Sequence, residues 1–175
     1  MERAEAALAQ SLNETVGTLR LAAFQTAVLA LVPHALTDLE QQHPRLRVEV
    51  TELEPEIAMP ALVAGEFDIV LGEEYPGHPL PRPRETERHD LLTDELRLIT
   101  PAGWSGRSLP SLASRPFVME PVGTPAREWA TAVCRQAGFE PEVRYTSTDL
   151  QIHLRLVESG LAAALLPDLS GAGNP

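Results

Sequence analysis

Lysine is absent from this chain, and its 14 basic residues are all arginine. Set against 25 acidic residues they leave a formal charge of −11, a surface that repels phosphate backbones. Affinity for nucleic acid comes largely from clustered basic side chains, so any action at DNA would have to come from another segment. Cysteine is nearly absent too, and Cys134 alone excludes an internal disulfide. The five histidines, His34, His43, His78, His89 and His153, lack the close pairing that metal sites use, so neither a metal nor a cofactor is expected. No apolar run reaches the length of a membrane span. The first residues, MERAEAALAQSLNETVG, carry no apolar signal core and no small-residue cleavage site, which predicts a cytoplasmic protein without a membrane partner.

What is present is a soluble α/β pattern, 43% hydrophobic with only 5% aromatic residues, long enough to bury a core in one domain or two small lobes. The pattern is set by residues 17–44. Thr18–Phe24 reads as a buried strand, Gln25-Thr26 marks the start of the next helix, and Val28, Leu29, Leu31, Val32, Leu36 and Leu39 supply its inner face. Pro33 removes an amide donor, so a kink or a new first turn is expected there. Thr26 reads either as a helix cap or as a hydroxyl beside free amides, where a small polar or anionic ligand could sit.

The same grammar then repeats. Arg45–Leu53 alternates as a strand, Glu54-Pro55 is a loop, and a helix over 56–64 ends at Gly65 before a third apolar strand, Phe67–Gly72. This β-α-β-α-β order predicts parallel strands joined by right-handed crossovers. Residues 73–89 are rich in Pro and Gly and read as an exposed loop or hairpin. A second series follows: a strand over 94–101, a helical piece near 109–113, a strand over 116–120, a helix from Thr124 to Ala137, a strand over 143–146, a helix opened by Ser147-Thr148-Asp149, and a strand over 161–167. In the Thr124 helix, the hydroxyl suits the cap, Pro125 the first position and Gly138 the stop. Asp68, inside an apolar strand, must be paired or hydrogen-bonded.

Together these residues resemble the effector-binding domain of LysR-type transcriptional regulators, from about Gly17 to Pro167. The resemblance rests on Gly17-x-Leu19-Arg20-Leu21, Leu31-Val32-Pro33, His43-Pro44, Gly65-Glu66-Phe67-Asp68-Ile69, Leu92-x-Asp94-Glu95-Leu96, Ala137-Gly138-Phe139-Glu140-Pro141, and Leu156–Leu161 through Leu166-Pro167. It implies two Rossmann-like lobes with a hinge and a central cleft, the type 2 periplasmic-binding-protein-like fold. Residues 17–92 would form lobe I, 93–167 lobe II and 168–175 a flexible tail, with 1–16 the remnant of a linker helix. It also implies DNA contact only through an N-terminal helix-turn-helix that this sequence lacks, and further strands and a helix beyond the point where this sequence stops. Binding positions carried over from the family are Gln25 and Thr26, Pro55, Glu120, Val122, Gly123 and Thr124, and Thr148. A homodimer through the helices Thr26–Gln42 and Thr124–Ala137 is implied as well.

Three helix starts facing one cleft suit a carboxylate effector. Glu52, Glu54, Glu73, Glu74 and Glu120 near strand ends oppose a multiply charged anion, so an amine-bearing or neutral effector remains open. Catalysis is not expected: the chain has no Gly-x-Ser-x-Gly elbow, no phosphate-cradling glycine loop and no close His/Cys/Asp grouping. Cys134 and His153 read as packed structural groups. A small dehydratase of the same fold, with Glu120 as base, and a secreted solute-binding protein are the other classes the pattern admits.

Overall fold

A computed structural model describes residues 15–171. The chain packs as two units: one takes in the chain to Glu73 together with Leu80–Arg88, the other Glu74–Pro79 and the chain from His89 onward. The division expected at 92/93 is therefore displaced, because residues 74–79 and 89–92 pack with the second unit. The helix expected over 1–16 lies almost wholly outside the described residues.

The first unit is a parallel sheet of β1 (Gly17–Ala23), β2 (Leu46–Glu52) and β3 (Ile69–Leu71) in the order β2-β1-β3. Between the strands run α1 (Gln25–Ala30), α2 (Val32–Gln42) and α3 (Pro55–Val63). Pro33 acts as expected. It stands in the first turn of α2, and the chain breaks at Leu31, which ends one helix and begins the next. Only Ala22 and Ala23 of β1 are buried, and β3 keeps three residues with Ile69 partly exposed, so both strands are less enclosed than their apolar sequences suggest. The core here is small: Ala23, Ala27 and Val32, with Leu21, Val28, Leu36, Val50 and Leu71 packed around them.

Asp68 is held as its position demanded. Its carboxylate accepts the Arg20 amide at 2.8 Å and the Arg20 guanidinium at 3.2 and 3.0 Å, tying the entry of β3 to β1. Hydrogen bonding from the Arg20 side chain, then from its backbone, holds the carboxyl below its usual range. A depressed carboxyl contributes stability at neutral pH that is lost as pH falls through the ordinary aspartate range toward the folded value. Asp68→Asn should lower the melting temperature near neutrality and flatten its decline in acid. Parallel melting curves between pH 3 and 7 check this, and identical slopes for both proteins would refute it.

The second unit holds β4 (Leu96–Ile99), β5 (Pro116–Met119), α4 (Pro125–Gln136), β6 (Glu142–Thr146), α5 (Leu150–Glu158) and β7 (Ala164–Pro167). β5 and β6 pair in parallel, as a repeating series predicts, but β7 turns back and pairs antiparallel with β4. The two pairs are joined where the Val118 amide donates to Ala163 and the Ala163 amide to Pro116. Phe117, Leu112, Met119, Cys134 and Ala163 form one core cluster; Val118, Val157, Ala162 and Leu166 form another. The expected tail begins as structure instead. Asp168–Ser170 is a 3-10 turn, with Asp168 paired to Arg97, the Leu169 amide donating to Asp94, and Ser170 buried.

Candidate functional site

Gln25, Thr26 and Pro55 lie in the first unit, and all three stand at the carboxyl ends of parallel strands. Ala23, the last residue of the central strand, is opposite Glu52 of β2 and Leu71 of β3. The chain leaves β1 toward β2 and returns across to β3, so the point where strand order reverses lies between β1 and β3. In open α/β sheets, ligands bind outside the carboxyl ends of strands at such a reversal.

Thr26 occupies this place in a way the sequence did not show. It is not the cap of α1: that position is Phe24, and no side chain caps the helix. Thr26 is instead the second residue of the helix and 2% exposed, and its hydroxyl has no hydrogen-bond partner among the described residues. An unpaired buried hydroxyl is uncommon, because leaving one costs about 1–3 kcal/mol. Pro55 also differs from expectation. It is the first residue of α3 rather than part of a loop, and it is buried, since its fixed φ and missing amide suit a first helical turn.

Two further residues shape this corner. Gly72 directly follows β3, where a Cβ would come within 2.7 Å of the Leu80 side chain and 3.8 Å of Pro55; its place at the end of an apolar strand was the only signal in the sequence. Glu54, just before α3, has its carboxyl pushed above its usual range by burial first, then by Glu56 and Glu52.

Glu120, Val122, Gly123, Thr124 and Thr148 lie in the second unit. Thr124 caps α4 as expected, and its hydroxyl both accepts and donates: it accepts the Arg127 amide at 3.2 Å and donates to the Pro121 carbonyl at 3.1 Å. The Arg127 guanidinium, absent from the sequence-derived set, donates to the Glu120 carbonyl at 2.9 Å and so closes the 120–124 loop from inside. Gly123 takes the left-handed conformation at φ +97, and Val122 at the loop tip is 85% exposed. Thr148 does not begin the next helix. Asp149 caps α5 by accepting the Gln151 amide at 2.9 Å, and Thr148 is exposed just before it.

The neighbouring loops after β5 and β6 meet where the Ser147 amide donates to Met119. Beneath them His153 is 2% exposed, with Nε2 2.8 Å from the Ser147 carbonyl. Burial lowers its pKa from the ordinary value, leaving it neutral. Cys134 is fully buried with its thiol pushed up to about 11, chiefly by desolvation, which leaves it inert as a nucleophile. No group of three or more metal-ligating side chains occurs among the described residues.

The family described as the LysR substrate binding domain matches residues 12–173. This chain belongs to that family. The LysR substrate-binding domain here is 29% identical over 167 residues to the probable HTH-type transcriptional regulator LrrA of Synechococcus elongatus, covering 91% of this chain and 53% of that protein. It thus spans about half the length of the curated relatives it matches. Among solved structures, the C-terminal domain of a probable LysR family regulator from Rhodococcus sp. RHA1 is 26% identical with a TM-score of 0.73, over 87% of this chain and 74% of that one. The BenM effector binding domain with its effector benzoate shares the fold at a TM-score of 0.67 and 20% identity, over 92% of this chain and 75% of that one. These LysR domains have the type 2 periplasmic-binding-protein-like fold, which is the fold class expected from the sequence. No helix among the described residues is long and apolar enough to cross a membrane.

Proposed function

We propose that this LysR substrate-binding domain senses a small metabolite and, in a full-length regulator, passes the bound state to a DNA-binding part through oligomer rearrangement. The observation that carries the reading is the unpartnered Thr26 hydroxyl at the strand-order reversal of a LysR-type sheet, whose missing partner an effector would supply. Gln25, Thr26 and Pro55 in the first unit, and Glu120, Val122, Gly123, Thr124 and Thr148 in the second, are the proposed effector positions. Within the second set the Thr124 hydroxyl already gives its proton to the Pro121 carbonyl, so it can offer an effector only an acceptor.

Binding rather than turnover is the proposed chemistry: the Cys134 thiol is fully buried, and His153 is buried with its Nε2 against the Ser147 carbonyl. BenM, solved with benzoate, supports a compact organic effector. Self-association through residues 26–42 and 124–137 is proposed with it. The first of these stretches leaves Leu29 half exposed, and a two-fold interface needs only one self-complementary surface.

A thermal-shift screen of aromatic acids, amino acids and amines tests the reading. A true effector at a hundred times its Kd should add about 2.7 kcal/mol, which for a chain of this size raises the melting temperature by roughly 5–10 °C. The compound should be recovered unchanged. Its consumption, or a screen without a saturable shift, would overturn the proposal.

A further inference from the structure

At the carboxyl ends of the strands of the first unit, charge is one-sided. The chain has no lysine, and no arginine occurs in residues 21–44 or 48–81, the stretches that supply β3, the ends of β1 and β2, and the helices α1, α2 and α3. Glu54 stands in this setting at the head of α3. It follows Leu53, whose amide donates to the Ala23 carbonyl at 3.0 Å, so β2 leaves the sheet beside the start of the helix that carries Thr26.

The Glu54 carboxyl is half-buried and makes no cap hydrogen bond, and no basic side chain pairs with it among the described residues. The charges that act on it are those of Glu56 and Glu52, both of its own sign. The positive end of α3 already meets this carboxyl, and α1, six residues long, has little dipole of its own, so neither helix has much left for an anionic guest. Thr26 adds the other half, since its hydroxyl is 2% exposed and has no hydrogen-bond partner. An unused acceptor for an N–H beside an unbalanced negative charge suits an ammonium group. A carboxylate could take the hydroxyl proton, but it would meet Glu54 without a cation to offset the repulsion.

We propose that Glu54 makes the Thr26 corner selective for a protonated amine, which donates an N–H to the Thr26 hydroxyl and is held by the Glu54 charge. This rests on the effector reading and narrows it to one class of ligand. It requires no direct contact from the carboxylate, because charge acts at a distance through a half-buried corner and is screened there less than on the open surface.

Benzylammonium chloride is the probe, titrated by calorimetry at neutral pH and constant ionic strength, with benzyl alcohol and sodium benzoate as guests carrying the same ring. The expected result is saturable binding of benzylammonium, weaker binding of benzyl alcohol and none of benzoate. Glu54→Gln should weaken the amine about ten-fold or more, the effect of losing a partly desolvated charge, and leave benzyl alcohol unchanged. Glu56→Gln, at an exposed position, should change amine binding by less than about three-fold, because exposed charges are screened. Without ligand, Glu54→Gln should melt at the same temperature or higher, since a carboxyl raised in the folded state costs stability when ionised at neutral pH; a lower melting temperature would show that the fold already balances the charge and would overturn the proposal. Full amine binding by Glu54→Gln, or no response to benzylammonium up to about 20 mM, would overturn it as well. Benzoate or benzyl alcohol binding as tightly as the amine would do the same, and loss of that binding in Thr26→Val would leave the effector reading standing.

Discussion

Phe117→Ala should unfold the second unit far more readily than any surface change, lowering its stability by about 3–5 kcal/mol. Phe117 is fully buried in the middle of β5, tilted against Phe139 at 6.0 Å, and packed with Leu112, Met119 and Cys134. Its strand is pinned on both sides, by β6 and by the Ala163 bridge. The backbone therefore cannot close over the space the ring leaves, and the cost sits at the cavity-forming end of the range. Both tryptophans, Trp104 and Trp129, pack against this same cluster, so their fluorescence reports the loss directly. The expected drop in midpoint is roughly 10 °C. A fall of under about 2 °C would mean that the cluster carries little of the stability of this unit.

Thr26→Val should weaken effector binding by roughly ten- to a hundred-fold, the loss of one hydrogen bond to a charged ligand group at about 1.5–3 kcal/mol. Stability should move the other way. Because the hydroxyl is buried without a partner, an isosteric methyl removes an unmet polar group, and the protein without effector should melt at the same temperature or higher. A helix cap would behave oppositely, since losing one costs about 1 kcal/mol. Titration of wild type and variant with one confirmed effector, beside melting curves, separates the cases. Equal affinities would remove Thr26 from the site.

The order of elements was legible where the chemistry that sets it is local. Pro33 opening α2, Gly65 after α3, Thr124 and Pro125 at the head of α4 and Gly138 behind it are each decided within one turn of chain, and the structure places them there. What depends on distant partners was not legible. The antiparallel return of β7 is decided by β4, more than sixty residues earlier, and Asp168 is ordered by Arg97. The site follows the same division. The strand ends carrying Gln25, Thr26 and Pro55 could be read from periodicity, whereas the burial of Thr26 depends on tertiary packing that a polar residue at a helix start does not announce. Arg127 escaped notice because a surface-patterned arginine gives no hint that its guanidinium will hold the carbonyl of Glu120.

The chain passes between its two units three times, at 73/74, 79/80 and 88/89. A single break in the backbone therefore frees neither unit whole. Severing it after Arg88 leaves Tyr75 and His78 on the first fragment and takes from α4 the ring tilted on Trp129 and the imidazole 3.6 Å from Glu128. Severing it after Glu73 keeps those contacts but strips Leu80 from beside Gly72. A chimera that exchanges one unit between relatives has to respect three junctions, and a split version of the protein would regain both units only when its fragments reassociate.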